Sequence, residues 1–139
     1  MLEQVSETVH ELFASPNPRE DVCRAVARIS KASSAMLCEP TGELGRFRAS
    51  AHYGLLSPTA QPVMDGRSRL GEAMSSGRRI LVDSGCEAEF ADREQWQAAG
   101  SPGSILYQPL INRGAGVGLL VVTWSGNVDL DNPRATDAL

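Results

Sequence analysis

The sequence has no apolar run approaching the ~18 residues that a membrane-spanning helix needs. Its longest, residues 117–124, has the length of a strand. It has no basic leader either: the first thirteen residues carry Glu3, Glu7 and Glu11, so a secretory signal is not expected. Cysteines number three (Cys23, Cys38 and Cys86), and no two stand at CxxC spacing. That argues against a disulfide framework or a zinc site and for a reducing, cytoplasmic setting. The two histidines, His10 and His52, lack metal-ligand spacing. A net charge of −4 and a pI of about 5.1 give no basic face for nucleic acid, so no nucleic-acid partner is expected. No Ser-His-Asp set and no dinucleotide fingerprint is present. Gly114-Ala115-Gly116-Val117-Gly118 leads into a strand, so it offers phosphate no helix N-terminus.

What remains is average globular material. At 139 residues, with 42% hydrophobic and 22% charged, the chain suits one domain with one real core. Leu2, Val5, Val9, Leu12 and Phe13 recur at helical spacing, giving an amphipathic helix over residues 1–15. Asn17 and Pro18 read as the N-cap and first residue of a second helix, with Val22, Val26 and Ile29 as its stripe, widened by Cys23 and Ala25. Residues 35–38 are a short apolar strand. Residues 45–53 alternate, with Phe47, Ala49, Ala51 and Tyr53 on one face and Arg46, Arg48, Ser50 and His52 on the wet one, which makes a hairpin with the preceding strand.

A short helix follows over residues 68–76, with Leu70, Ala73 and Met74 inward and Gly77 as its stop. Residues 79–82 are a strand. Residues 83–102 form a long loop with a helical turn near residues 92–99, and this loop is expected to be the most mobile part of the domain. Strands at residues 104–111 and 116–124 flank a turn at Asn112-Arg113-Gly114, the second of them buried on both faces. Asp131-Asn132-Pro133 opens a helix over residues 132–139 that is expected to continue beyond this sequence. The fold class is α+β: a central antiparallel sheet of roughly five to six strands, terminal helices on one face, short helix and long loops on the other.

The stretch from Ser104 through Pro109-Leu110, the Asn112-Arg113-Gly114 turn and the glycine-rich strand to Val122 resembles the most recognisable part of GAF domains. Leu70-Gly71-Glu72-Ala73-Met74-Ser75-Ser76-Gly77-Arg78-Arg79-Ile80-Leu81-Val82-Asp83 looks like that family's short helix, turn, strand and aspartate. Tyr53-Gly54-Leu55 is similar to the end of its second strand. The resemblance implies a sensory, regulatory module of a larger signalling protein, without catalytic activity. It implies a small ligand held between sheet and middle helix, an attached effector domain, and a homodimer through the terminal helices. The cofactor stays unknown.

More specific chemistries of the family fit poorly. The set of residues that marks cyclic-nucleotide binders is missing. The surroundings of Cys86 do not match a bilin attachment site. His10 and His52 both belong on wet faces, which leaves haem without an axial ligand. A free methionine sulfoxide reductase, the enzymatic alternative, needs a low-pKa thiolate and a resolving thiol in reach, whereas Cys23 and Cys38 belong to the core and only Cys86 lies in a loop. A degenerate domain with only an assembly role is the remaining alternative. Arg67, Arg69, Arg78 and Arg79 flank the short helix and could meet an anion. The basic stripe Arg24, Arg28 and Lys31 reads as a solvated helix face. Candidate ligand-lining residues are Tyr53 and one parity of the fourth strand (Ser104, Leu106 and Gln108), with Leu70, Met74, Phe90 and Trp96 supplied from the covering segments.

Overall fold

The computed structural model describes residues 18–41, 47–64 and 68–125. The expected helices over residues 1–15 and 132–139, together with Asn17 and Arg67, lie outside the described residues. Helix α1 spans Pro18–Ser30, with Glu20 and Asp21 in its first turn and Arg28 in its last, which complements the helix dipole. It buries Val22, Cys23, Val26, Ala27 and Ser30, so the stripe runs one residue to the side of the expected one. Ile29 is 40% exposed, and Ala27 takes the inward place. The helix closes as a Schellman motif: the Ala32 N–H donates to the Ala27 carbonyl at 2.9 Å and the Lys31 N–H to the Arg28 carbonyl at 3.4 Å. Lys31 therefore carries φ 55°, the left-handed value that glycine adopts at no steric cost.

Strands β1 (Ser34–Pro40), β2 (Phe47–Tyr53), β3 (Ile80–Val82), β4 (Ser104–Asn112) and β5 (Ala115–Trp124) form one five-stranded sheet in the order β2-β1-β5-β4-β3. All neighbouring pairs are antiparallel. The β4–β5 turn is Arg113-Gly114, with φ 53° and 80°. Two successive positive φ values match the primed hairpin turn, whose twist suits paired strands. Residues 119–124 of β5 are buried, but Gly116 and Val117 near the turn are exposed, so burial on both faces holds only for the inner part of the strand.

The expected alternation of β2 breaks in the middle. Register shifts between Leu37 and Cys38, which pair with Ala51 and Ala49. The extra residue, Ser50, donates its hydroxyl to the Leu37 carbonyl at 3.3 Å. This bulge flips the strand. Phe47 and Ala49 pack on one face of the sheet and Ala51 on the other.

The two faces carry separate cores. On one, α1 meets Ala35, Leu37, Ala51, Leu106, Leu120, Val122 and Trp124, and the Trp124 indole N–H donates to the Ser30 carbonyl at 3.1 Å. The other carries Met36, Cys38, Ile105, Tyr107, Leu119 and Val121 under helix α2 (Arg69–Ser76), a 3-10 turn (Cys86–Glu89) and the flanking loops. Helix α3 (Arg93–Ala98) follows, capped by the Asp92 carboxylate, which accepts the Gln95 N–H at 2.8 Å. Among the described residues no helix is long and apolar enough to cross a membrane.

Candidate functional site

The face away from α1 is where short elements, rather than a long helix, cover the sheet. Helix α2 begins at Ser68, whose hydroxyl accepts the Gly71 N–H at 3.2 Å, and stops at Gly77, φ 66°. Leu70 and Ala73 are its inward residues. Gly116 leaves room for the Met74 methyl, which would stand 3.4 Å from an added Cβ. Residues 54–64 enter from the end of β2. The Ser34 hydroxyl accepts the Leu55 N–H at 2.8 Å and the Leu56 N–H at 3.4 Å, which sets Leu56 fully inside at 0% exposure. Residues 83–100 complete the cover. They bury Cys86, Phe90 and Ala99, and the Trp96 indole N–H donates to the Pro102 carbonyl at 3.1 Å.

Polar groups within this apolar layer are few. The Tyr107 hydroxyl donates to a Glu89 carboxylate oxygen at 2.9 Å, and the Glu89 backbone carbonyl accepts the Val63 N–H at 2.8 Å. The Cys86 thiol donates to the Val82 carbonyl at 3.4 Å, and the Cys38 thiol lies 3.5 Å from the Met64 sulfur. Burial, reinforced by the Glu89 carboxylate, holds the Tyr107 phenol well above its ordinary range; it is a neutral donor at every physiological pH. Burial likewise pushes the Cys23 and Cys38 thiols up to about 12. Cys86 is pushed to about 11, by burial first and then by the nearby Glu89 and Asp83 carboxylates. No group of His, Cys, Asp and Glu among the described residues could hold a metal ion.

Of the residues expected to line a ligand space, Leu70, Phe90, Met74 and Trp96 do gather on this face. The other four do not. Leu106 packs under α1, and Ser104 and Gln108 share its parity, paired across to Trp124 and Leu120 of that same face. The residues of β4 that point toward α2 are Ile105 and Tyr107. A central strand buried on both sides carries apolar residues at both parities, so periodicity alone does not choose between them. Tyr53 sits opposite Ala35, on the α1 side beyond the bulge, and is 43% exposed. Sequence reasoning missed Glu89 and Tyr107. Their signal lay in Tyr107 itself, because a phenol in an otherwise apolar strand needs an acceptor. Cys86, placed in a loop, is buried, at 4% exposure. Arg69, Arg78 and Arg79 are exposed at the ends of α2, with Arg69 reaching Glu72 at 3.9 Å.

This architecture, a five-stranded antiparallel sheet with a helix on one face and short elements over the other, is the fold of GAF domains. Over 99% of its length the chain superposes on the GAF domain of an Acinetobacter phosphoenolpyruvate-protein phosphotransferase, covering 84% of that chain with a TM-score of 0.71 at 16% identity. The GAF domain of a phosphoenolpyruvate-protein phosphotransferase from Coxiella burnetii gives a TM-score of 0.69 at 18% identity, with 99% of this chain and 88% of that one covered. The free methionine-R-sulfoxide reductase of Neisseria meningitidis, solved with its substrate, gives 0.68 at 11% identity, covering 96% of this chain and 78% of that one. No family model and no curated protein sequence matches the chain.

Proposed function

We propose that the chain is a non-catalytic sensory module that takes a small ligand between its sheet and the covering elements α2 and residues 83–100, and that it works within a larger signalling protein of the cytoplasm. The observation that carries this reading is the asymmetry of the two sheet faces. One is sealed by the long helix α1. The other is covered by short elements over an apolar layer with a few converging polar groups, the composition expected of a small-molecule site. Leu70, Met74, Phe90 and Trp96, together with Ile105 and Tyr107 of β4, would line the ligand. An effector domain attached to this module, and a homodimer through the helices expected over residues 1–15 and 132–139, complete the proposal.

The disposition of the thiols supports this reading over the reductase alternative. Sulfoxide reduction starts from an accessible thiolate. Here all three cysteines are buried, and each thiol is held protonated near neutral pH. Native mass spectrometry of the purified chain tests the sensory reading: a retained small molecule is the expected result. Two or more fast-reacting thiols, closing to an intramolecular disulfide under mild oxidation, would overturn it in favour of the enzyme. Dimerisation is tested by sedimentation of the chain with and without residues 1–15. A monomer in both cases at high concentration would remove the assembly part of the proposal.

A further inference from the structure

Residues 83–100 touch the layer beneath them mostly through apolar groups, which have no preferred direction. Their directional side-chain contacts with the sheet include the Cys86 thiol on the Val82 carbonyl, four residues away in the chain, and Glu89 on Tyr107, eighteen residues away on β4. Glu89 is bound a second time, through its backbone carbonyl to Val63. Glu89 thus holds three pieces together: the sheet through Tyr107, the 3-10 turn of which it is the last residue, and the segment around Val63 and Met64 that packs against Cys38. Tyr107 is 1% exposed, so its hydroxyl has no water to turn to while the cover is shut. If Glu89 leaves, the phenol is stranded unless water or a ligand atom replaces the carboxylate.

We propose that the Tyr107–Glu89 hydrogen bond is a release catch. While it is made, residues 83–100 lie closed over the sheet; when it breaks, they swing open and expose the loop-side interior. The inference rests on the sensory reading, for which it supplies the moving part. A partly buried hydrogen bond to a charged acceptor is of the size that changes an opening equilibrium by about ten- to a hundredfold. It is strong enough to keep the cover shut and weak enough for a ligand to displace.

The three cysteines report on this directly. Cys38 and Cys86 lie on the covered face, whereas Cys23 lies under α1 on the opposite one. Labelling by a thiol-specific disulfide reagent at fixed pH therefore separates local opening from global unfolding. In Tyr107→Phe, which keeps the ring, and in Glu89→Ala, Cys86 is expected to label about ten- to a hundredfold faster, with Cys23 unchanged. Glu89→Gln, whose amide oxygen can still accept from Tyr107, is expected to stay within a few-fold of the unaltered chain. Amide exchange should quicken in step at Val63 and across residues 86–90, and stay constant in α1. Equal acceleration of Cys23 and Cys86, or no change at Cys86 in either variant, would overturn the catch. Neither result bears on ligand retention by the unaltered chain, which native mass spectrometry reads separately.

Discussion

Gly54→Ala is the substitution for which the structure gives the firmest magnitude. Gly54 closes β2 at φ +86°, and a Cβ there would stand 2.5 Å from the Ser33 carbonyl oxygen and 2.5 Å from the Ser34 hydroxyl. The first of these is backbone and cannot rotate away. It is also tied, because the Ser33 N–H donates to the Thr123 carbonyl of β5 at 2.8 Å. The left-handed conformation costs an alanine about 1–2 kcal/mol. Displacing Ser34 endangers the two hydrogen bonds that its hydroxyl accepts from Leu55 and Leu56, each contributing about 0.5–1.5 kcal/mol. The sum is about 2–5 kcal/mol, a large share of the ~5–15 kcal/mol that holds such a domain. Gly85→Ala is the matched control. Its φ is +66°, but nothing lies within 4 Å of the added Cβ, so only the backbone cost of about 1–2 kcal/mol applies. Urea unfolding followed by tryptophan fluorescence measures both. Gly54→Ala should lower the midpoint strongly with little change in slope, and should fall at least ~1 kcal/mol below Gly85→Ala. If the two variants are equally stable, the close packing of residue 54 on β1 is wrong.

Other expectations follow from single positions. Lys31→Gly should stabilise the chain by about 0.5–1 kcal/mol, because the left-handed end of α1 suits glycine and Lys31 is exposed; a lower melting temperature would contradict the Schellman ending. Thr123→Val should raise stability by about 1 kcal/mol, since the Thr123 hydroxyl is fully buried with no hydrogen-bond partner among the described residues; a loss of similar size would show that the hydroxyl is satisfied. Stability should fall as pH rises above about 9. Cys23 and Cys38 stay protonated up to about 12 when folded, while unfolding frees them to ionise near 9.0. The native state therefore binds more protons in that window, and by pH ~10 the two thiols together remove roughly 2–3 kcal/mol. Because Cys86 and Tyr107 are raised as well, Cys23→Ala should flatten the alkaline slope by about a third, and an unchanged slope would refute the assignment.

How far the sequence discloses the molecule depends on what kind of signal each part carries. Caps are local chemistry and are legible: Ser68 and Gly77 bound α2, Asp92 opens α3, and Arg113-Gly114 turns the last hairpin, all where the residue types place them. Burial of a strand is legible too, but not its facing. The bulge at Ser50 is set by a carbonyl of another strand, and nothing within residues 47–53 announces it. Strict alternation therefore puts Tyr53 on the face of Phe47, whereas it lies opposite Ala35 on the α1 side. The same limit applied to β4, where Ile105 and Tyr107 compete with Leu106 for the same inward role, and only pairing with β3 and β5 decides between them. In α1 the stripe had two neighbouring solutions; the packing of small Ala27 close to the sheet, with Ile29 left outside, is a matter of helix approach rather than of periodicity. Glu89 was invisible for a related reason. A glutamate in a loop looks solvated until the phenol it serves is brought above it by tertiary folding.

The middle of the sheet is made from strands far apart in the chain. β1 pairs with β5 from Ser34↔Thr123 to Cys38↔Leu119, and the Trp124 indole reaches a carbonyl 94 residues earlier. Everything between them is an excursion that starts and returns at this seam. Closing so long a loop costs entropy before any sheet contact rewards it, which places folding in the slower, millisecond-to-second range of small domains. Synthesis makes the delay longer still. At ~5–20 residues per second, the ribosome leaves the apolar run Ala35-Met36-Leu37-Cys38 without its inner neighbour for several seconds, paired at best with β2 in a hairpin of marginal stability. That interval, rather than the finished domain, is when this chain is most open to aggregation and most in need of a chaperone.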